Sequence, residues 1–320
     1  PSNKGDGWER PILNDKKVFQ YGDALAIVCA DSERNARAAA EKVKFDLELL
    51  PEYMSAPEAM APDAMEIHPG TPNVYYDQLE EKGADTKPFF DDPANVVVEG
   101  SYYTQRQPHL PIEPDVGYGY INDKGQVVIH SKSVGIHLHA LMIAPGLGLE
   151  FPKDLVLVQN TTGGTFGYKF SPTMEALVGV AVMATGRPCH LRYDYEQQQN
   201  YTGKRSPFWT TVRYAANRQG KILAMETDWT VDHGPYSEFG LLTLRGAQYI
   251  GAGYGIANIR GHGRTVATNH CWGAAFRGYG APESEFPSES LMDELAEKLG
   301  MDPFDLRELN CYREGDTTPT

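Results

Sequence analysis

No Cys-x-x-Cys pair occurs in the chain, and its four cysteines (Cys29, Cys189, Cys271 and Cys311) stand far apart. That excludes a zinc knuckle or an iron–sulfur loop encoded by local spacing. Scattered thiols in a chain of 320 residues read as buried cysteines rather than a disulfide framework, which favours a reducing compartment, the cytoplasm ahead of the periplasm. No apolar run is long enough to predict a membrane-spanning helix. Positive charge is also scarce: 29 Lys and Arg stand against 43 Asp and Glu, a formal net charge of −14. Such an excess argues against nucleic acid or an anionic membrane surface as a general partner, though not against a local phosphate pocket.

What the chain has in quantity is glycine and aromatic residues, concentrated in two turns. The apolar run Leu155 to Gln159 predicts a strand, and TTGGTFGYKF follows it directly. Gly163, Gly164 and Gly167 allow a backbone path closed to other residues and a close approach of N–H groups to a ligand. Ser171-Pro172 reads as the cap and first residue of a helix continuing to Gly186, whose N-terminal partial charge would face the same ligand. The arrangement suits a phosphate or an electron-rich cofactor edge; a tight turn around packed aromatics is the structural alternative. The spacing is neither the dinucleotide fingerprint nor a Walker loop, because Phe170 follows Lys169. A second turn, Gly273 to Glu283, repeats the pattern, with Arg277 between Phe276 and Gly278 as a planar fork for an anion.

Around these turns the expected elements are mixed. Ala24 to Ala30 reads as a buried strand, followed by a helix capped at Asp31 or Ser32 and running through Val43. A second strand, Val43 to Leu49, would complete a β-α-β unit. Ser55 to Pro93, with six prolines, reads as a connection. Strands are expected at 96–103, 126–133, 189–193, 210–215 and 222–231. A helix is expected over 136–144, and two more close the chain, one ending at Gly300 and one starting at Asp302-Pro303. His137 and His139 form an H-x-H pair, but on a helix the two rings diverge, so hydrogen-bonded histidines are favoured over a metal site. Glu113 and Asp115, flanked by prolines, form a candidate rigid site wall.

At these residues the sequence resembles the molybdenum-binding portion of the xanthine oxidase family, nearest its aldehyde oxidoreductase branch. The resemblance runs in order along nearly the whole chain: FQYGDALAIVCADSERNARAAAEKVKFDLELLP, QRQPHLPIEPD, GGTFGYKF, TGRPCHLRYDYEQQQNYTGKR, NIRGHGRTVATN, AFRGYGAPE and MDPFDLRELNCYREGD. It implies an α+β (mixed) fold, with residues 1–60 the end of an α/β hammerhead domain. Residues 61–320 would be the first part of the molybdopterin-binding domain. It implies a molybdenum–molybdopterin cytosine dinucleotide bound by Gly163, Gly164, Thr165, Phe166 and Gly167 on one side and Ala275, Phe276, Arg277 and Gly278 on the other. No protein side chain would ligate the metal.

Phe170, Phe239, Leu241 and Tyr279 would line an aldehyde-type substrate funnel, and Arg245 matches a position that binds polar substrates in some members. The implied reaction oxidises aldehydes to carboxylic acids with oxygen from water. Electrons would pass to two [2Fe–2S] clusters outside this chain and on to an acceptor such as flavodoxin or ferredoxin. The remaining parts of the same polypeptide, and a homodimer, complete the implied assembly, and the general-base glutamate is expected beyond Thr320. Ser131-Lys132-Ser133 replaces the family's glutamine after a Ser-Thr pair, implying a less polar site. Glu283 replaces another glutamine, and its charge is expected to weaken contact with an anionic pterin. A non-enzymatic cofactor-binding module on the same fold is the alternative.

Overall fold

Two mixed sheets carry the fold, each covered by helices on one face. The computed structural model describes residues 10–240, 244, 250, 251 and 253–318. The larger sheet has the order β1 (Val74–Lys82), β9 (Asn258–Val266), β8 (Ile222–Asp232), β7 (Phe208–Ala216), β2 (Val96–Thr104). Only the β8–β9 pair is parallel; the others are antiparallel. A long helix (Ala281–Leu299, here α7, after α1 to α6 given below) lies across it. Leu291, Met292 and Leu295 recur at the helical period and bury fully against Phe208, Tyr214 and Trp229 of the sheet. The last helix, α8 (Pro303–Asn310), starts at Asp302, whose carboxylate accepts the Phe304 and Asp305 N–H groups.

The smaller sheet has the order β5 (Leu155–Gln159), β4 (Val127–Ser131), β3 (Val116–Ile121), β6 (Cys189–Arg192). β4 pairs with β5 in parallel, and its apolar residues are buried on both faces. Two helices, α4 (Ile136–Leu147) and α5 (Glu175–Thr185), pack Ile143, Leu147, Val178 and Val182 onto Ile129 and Leu155. A third cluster, Tyr168, Tyr236, Trp272 and Ala274, joins the two glycine–aromatic turns.

Several expected elements differ. Ala24 to Ala30 and Val43 to Leu49 are extended but form no strand; among the described residues neither finds a ladder partner. Phe45, Leu47 and Leu49 are exposed, so alternation there does not mark a buried face. Between them lies α1 (Glu33–Ala40), capped by Ser32 as expected but ending before Val43. Ser55 to Pro93 is not a mere connection: it holds α2 (Ala56–Ala59), β1 and α3 (Lys87–Asp91), and β1 pairs along the length of β9. A further helix, α6 (Tyr195–Tyr201), carries a capping box between Asp194 and Gln197.

Candidate functional site

The first turn is shaped from beneath by charged groups. Glu113 accepts the Gly163 N–H and an ion pair from Lys132 (Nζ to Oε1 2.7 Å). Lys169, buried, places its Nζ 3.5 Å from Glu113 and 3.3 Å from Asp115. The Tyr168 hydroxyl donates to Asp115 (3.1 Å) and accepts from Gln198 (2.8 Å). The two carboxylates respond oppositely. Burial pushes Glu113 upward, but Lys132, Lys169 and the Gly163 N–H outweigh it and hold its carboxyl below the usual range. Burial dominates at Asp115, whose pKa is raised despite the neighbouring Lys169. The carboxylates of the proline-flanked segment thus brace the glycine turn.

Helix α5 does not start where the sequence suggested. Ser171 is buried outside it, and the helix begins at Glu175. The Glu175 carboxylate accepts the Thr173 (2.8 Å) and Met174 (3.1 Å) N–H groups, which lead into the helix. Burial works to raise the Glu175 pKa, but hydrogen bonding and attraction to His139 bring it down to about 2. His139 also contacts the Phe170 carbonyl (2.9 Å), so it is a structural histidine. Among the described residues no group of three or more His, Cys, Asp or Glu could hold a metal.

The second turn meets the first. The Arg277 N–H donates to the Phe166 carbonyl at 2.8 Å. Gly167 has φ +123°, and a Cβ there would lie 2.4 Å from the Ala275 carbonyl oxygen, so only glycine permits the contact. His109 stands behind it, with Nε2 2.7 Å from the Ala275 carbonyl and its ring 4.4 Å from Phe276. Burial lowers the His109 pKa to about 4, so the ring is neutral and Nε2–H donates. Arg205 is the hub: it reaches Glu283 (2.6 Å), the Arg277 carbonyl (3.0 Å) and Gln107 (2.9 Å), and lies 4.1 Å over the Phe276 ring. Glu283 thus forms a buried ion pair with Arg205.

What these contacts leave open defines the site. None of the hydrogen bonds among the described residues uses the N–H groups of Gly164, Thr165, Phe166, Ala275 or Phe276. Arg277 is exposed, and its guanidinium has no ion-pair partner among the described residues. Phe166 and Phe170 are each 47% exposed beside it. On the other flank the Tyr279 hydroxyl reaches the Phe239 carbonyl (3.4 Å). Leu241 and Arg245 lie outside the described residues.

Backbone strain gathers here as well. The four non-glycine residues with positive φ among those described are Leu110 (49°), Phe166 (51°), Phe239 (60°) and Tyr279 (45°). Three were site candidates from sequence; Leu110 was not, since nothing local marks a strained leucine. Arg205 was likewise missed, because its partners are distant in sequence. His109, in the segment QRQPHLPIEPD, is placed as a brace.

Comparison with known proteins identifies the family. The chain is 71% identical, over its whole length, to an aldehyde oxidoreductase of Megalodesulfovibrio gigas, of which it spans 35%. It is 30% identical to the large molybdopterin subunit of a nicotinate dehydrogenase from Eubacterium barkeri, covering 96% of this chain and 72% of that one. The crystal structure of the aldehyde oxidoreductase from Desulfovibrio desulfuricans superposes with a TM-score of 0.97 at 93% identity, covering all of this chain and 35% of that one. The chain therefore spans about a third of the aldehyde oxidoreductases it matches. Residues 67–311, both glycine turns included, match the molybdopterin cofactor-binding domain family, and the chain belongs to that family.

Proposed function

We propose that the chain is part of a molybdenum hydroxylase that oxidises aldehydes to carboxylic acids with oxygen from water. The observation that carries this reading is the junction of the two turns at Arg277 and Phe166, whose neighbouring N–H groups and guanidinium are used by no hydrogen bond or ion pair among the described residues. Such donors fit a pterin carrying anionic phosphates. Gly163, Gly164, Thr165, Phe166 and Gly167 would hold one side of it, and Ala275, Phe276, Arg277 and Gly278 the other. The cofactor form proposed is the cytosine dinucleotide. When bound, it supplies two-electron oxidation at molybdenum, held by the pterin rather than by protein ligands.

This chain's residues orient and enclose. Phe170, Phe239 and Tyr279 wall the substrate side and exclude water, with Leu241 and Arg245 assigned to the same side by resemblance. Buried glutamates next to the turns are committed elsewhere: Glu113 to Lys132, Glu175 to His139, Glu238 to Arg10 and Glu283 to Arg205. By resemblance to the family, the proton acceptor is proposed to lie beyond Thr320. The two [2Fe–2S] clusters would sit elsewhere in the polypeptide, passing electrons to an acceptor such as flavodoxin or ferredoxin, in a homodimer. The proposed boundary between hammerhead and cofactor domains, at residues 60 and 61, is supported by the lack of paired strands among the described residues before β1. Among the described residues, no helix is long and apolar enough to cross a membrane.

The test is the metal and pterin content of the intact, natively purified protein. Elemental analysis should find molybdenum, and acid hydrolysis of the released cofactor should yield cytidine monophosphate. A protein without molybdenum sinks the proposal. Arg277→Gln should lower molybdenum occupancy while leaving the unfolding midpoint of the cofactor-free protein nearly unchanged, because the guanidinium forms no ion pair among the described residues.

A further inference from the structure

Arg10 belongs to neither glycine turn, yet its guanidinium reaches the surroundings of both. A terminal nitrogen donates to the Pro172 carbonyl, just beyond Phe170 at the exit of the first turn. Nε lies 3.2 Å from the carboxylate of Glu238, the residue before Phe239. The central carbon lies 4.4 Å over the ring of Trp272, the residue before the second turn. Glu238 is fully buried, its Oε1 accepts no hydrogen bond, and Arg10 is its ion-pair partner among the described residues. The segment that carries Arg10 is itself tied down. Asp23 accepts the Tyr236 hydroxyl (2.8 Å) and the Phe19 N–H (2.9 Å), and the Gln20 side chain accepts the Trp272 N–H (2.7 Å). Asn269 donates to the Phe19 carbonyl (2.8 Å).

The loop that carries Phe239 is held from another side by His233. The Gly240 N–H closes a turn onto the Ser237 carbonyl (2.8 Å), with Phe239 strained at its third position, φ 60°. His233 Nε2 lies 2.7 Å from the Glu238 carbonyl and Nδ1 3.0 Å from the Ser206 hydroxyl. Burial lowers the His233 pKa to about 4, so the ring is neutral. Nε2–H then donates to the carbonyl, and Nδ1 accepts from Ser206. His233 thus fixes the backbone of the turn, and Arg10 fixes the side chain beside Phe239. We propose that Arg10 is a positioning residue of the substrate wall, fixing the backbone beside Phe170 against the turn that carries Phe239. The assignment rests on the reading above that both rings wall the substrate side. Its consequence is selectivity by size: an aldehyde bearing an aromatic ring needs both walls in place, and a two-carbon aldehyde does not. Glutamine at position 10 is shorter and neutral, so Pro172 and Glu238 lose their link. Apolar contact with a large substrate is then lost, while the reacting centre keeps its own residues.

The test compares benzaldehyde with acetaldehyde on the intact native enzyme, with a dye as electron acceptor and rates expressed per bound molybdenum. Arg10→Gln should lower the ratio of kcat/KM for benzaldehyde to that for acetaldehyde about tenfold, through the KM for benzaldehyde. That variant leaves Glu238 buried and unpaired, so Arg10→Gln combined with Glu238→Gln is made beside it. The double variant should regain most of the parent's melting temperature and still show the lowered ratio. Hydrogen–deuterium exchange gives a readout independent of activity: amides over 234–240 should exchange faster in both variants, and those of β4 should not. A ratio that recovers together with the melting temperature would mean that Arg10 serves stability alone and would overturn the assignment. Unchanged exchange over 234–240 would overturn it as well. A parent enzyme that carries molybdenum and oxidises neither aldehyde would instead refute the proposed function, and the assignment with it.

Discussion

The two turns that meet at Phe166 and Arg277 have similar sequences and different supports. Beneath the first, two ammonium groups share two carboxylates: Lys132 and Lys169 both reach Glu113, and Lys169 also reaches Asp115. Behind the second, one guanidinium is the only cation in the support described above, holding Glu283, the Arg277 carbonyl and Gln107 while covering the Phe276 ring. A cluster of point charges is redundant, since one lysine can cover part of another's loss. A planar fork is not, because its geometry is the interaction. Loss of one cation should therefore be tolerated at the first turn and not at the second.

The sharpest way to break the comparison is to delete each cation. Arg205→Met leaves Glu283 buried and unpaired and should cost about 4 kcal/mol of unfolding free energy. Lys169→Met should cost roughly half that, about 2 kcal/mol, because Lys132 still serves Glu113 and Asp115 can take a proton. Urea titration with tryptophan fluorescence reads both, and equal losses would refute the distinction.

Next in size is the contact itself. Gly167→Ala combines a positive φ with a clash against the Ala275 carbonyl and should lose about 3 kcal/mol. Gly164→Ala, whose added Cβ would stand 3.5 Å from Pro111, should stay within about 0.5 kcal/mol of the parent. Matched losses in the two variants would mean that the turns do not depend on their close approach.

The third effect depends on pH. His109 is neutral in the fold, with its pKa down from 6.5 to about 4, so the unfolded chain binds more protons between those values. Its contribution is complete above pH 6.5 and is lost as pH falls toward 4, on the order of 3 kcal/mol in all. His109→Gln should flatten the acid limb of the stability–pH curve measured by thermal melts, and an unchanged slope would count against the assignment. Smallest is Lys132→Met, a half-exposed partner whose removal should cost about 1 kcal/mol by the same urea assay.

Both turns were legible in the sequence because glycine and aromatic residues are local signals, as were the caps at Ser32 and Asp302 and the left-handed ends at Gly186 and Gly300. Their supports were not legible. Arg205 meets Glu283, and Lys169 meets Asp115, only after distant segments have packed. The strand expected at 24–30 failed for a related reason: an apolar extended run becomes a strand only with a partner. Conversely, β1 was hidden in a proline-rich stretch, since its prolines lie outside the paired residues. Helix α5 starts late because Glu175 caps the preceding N–H groups better than Ser171 can.

The pairing of β1 with β9 sets an order of events. Val74 lies opposite Val266, and Lys82 opposite Ile259, so the outer strand of the larger sheet waits for a segment synthesised much later. The Phe166–Arg277 contact waits on the same late segment. Long loop closures of this kind are slow steps in folding. The first turn therefore lacks its opposite wall until the second has been synthesised and has packed against it.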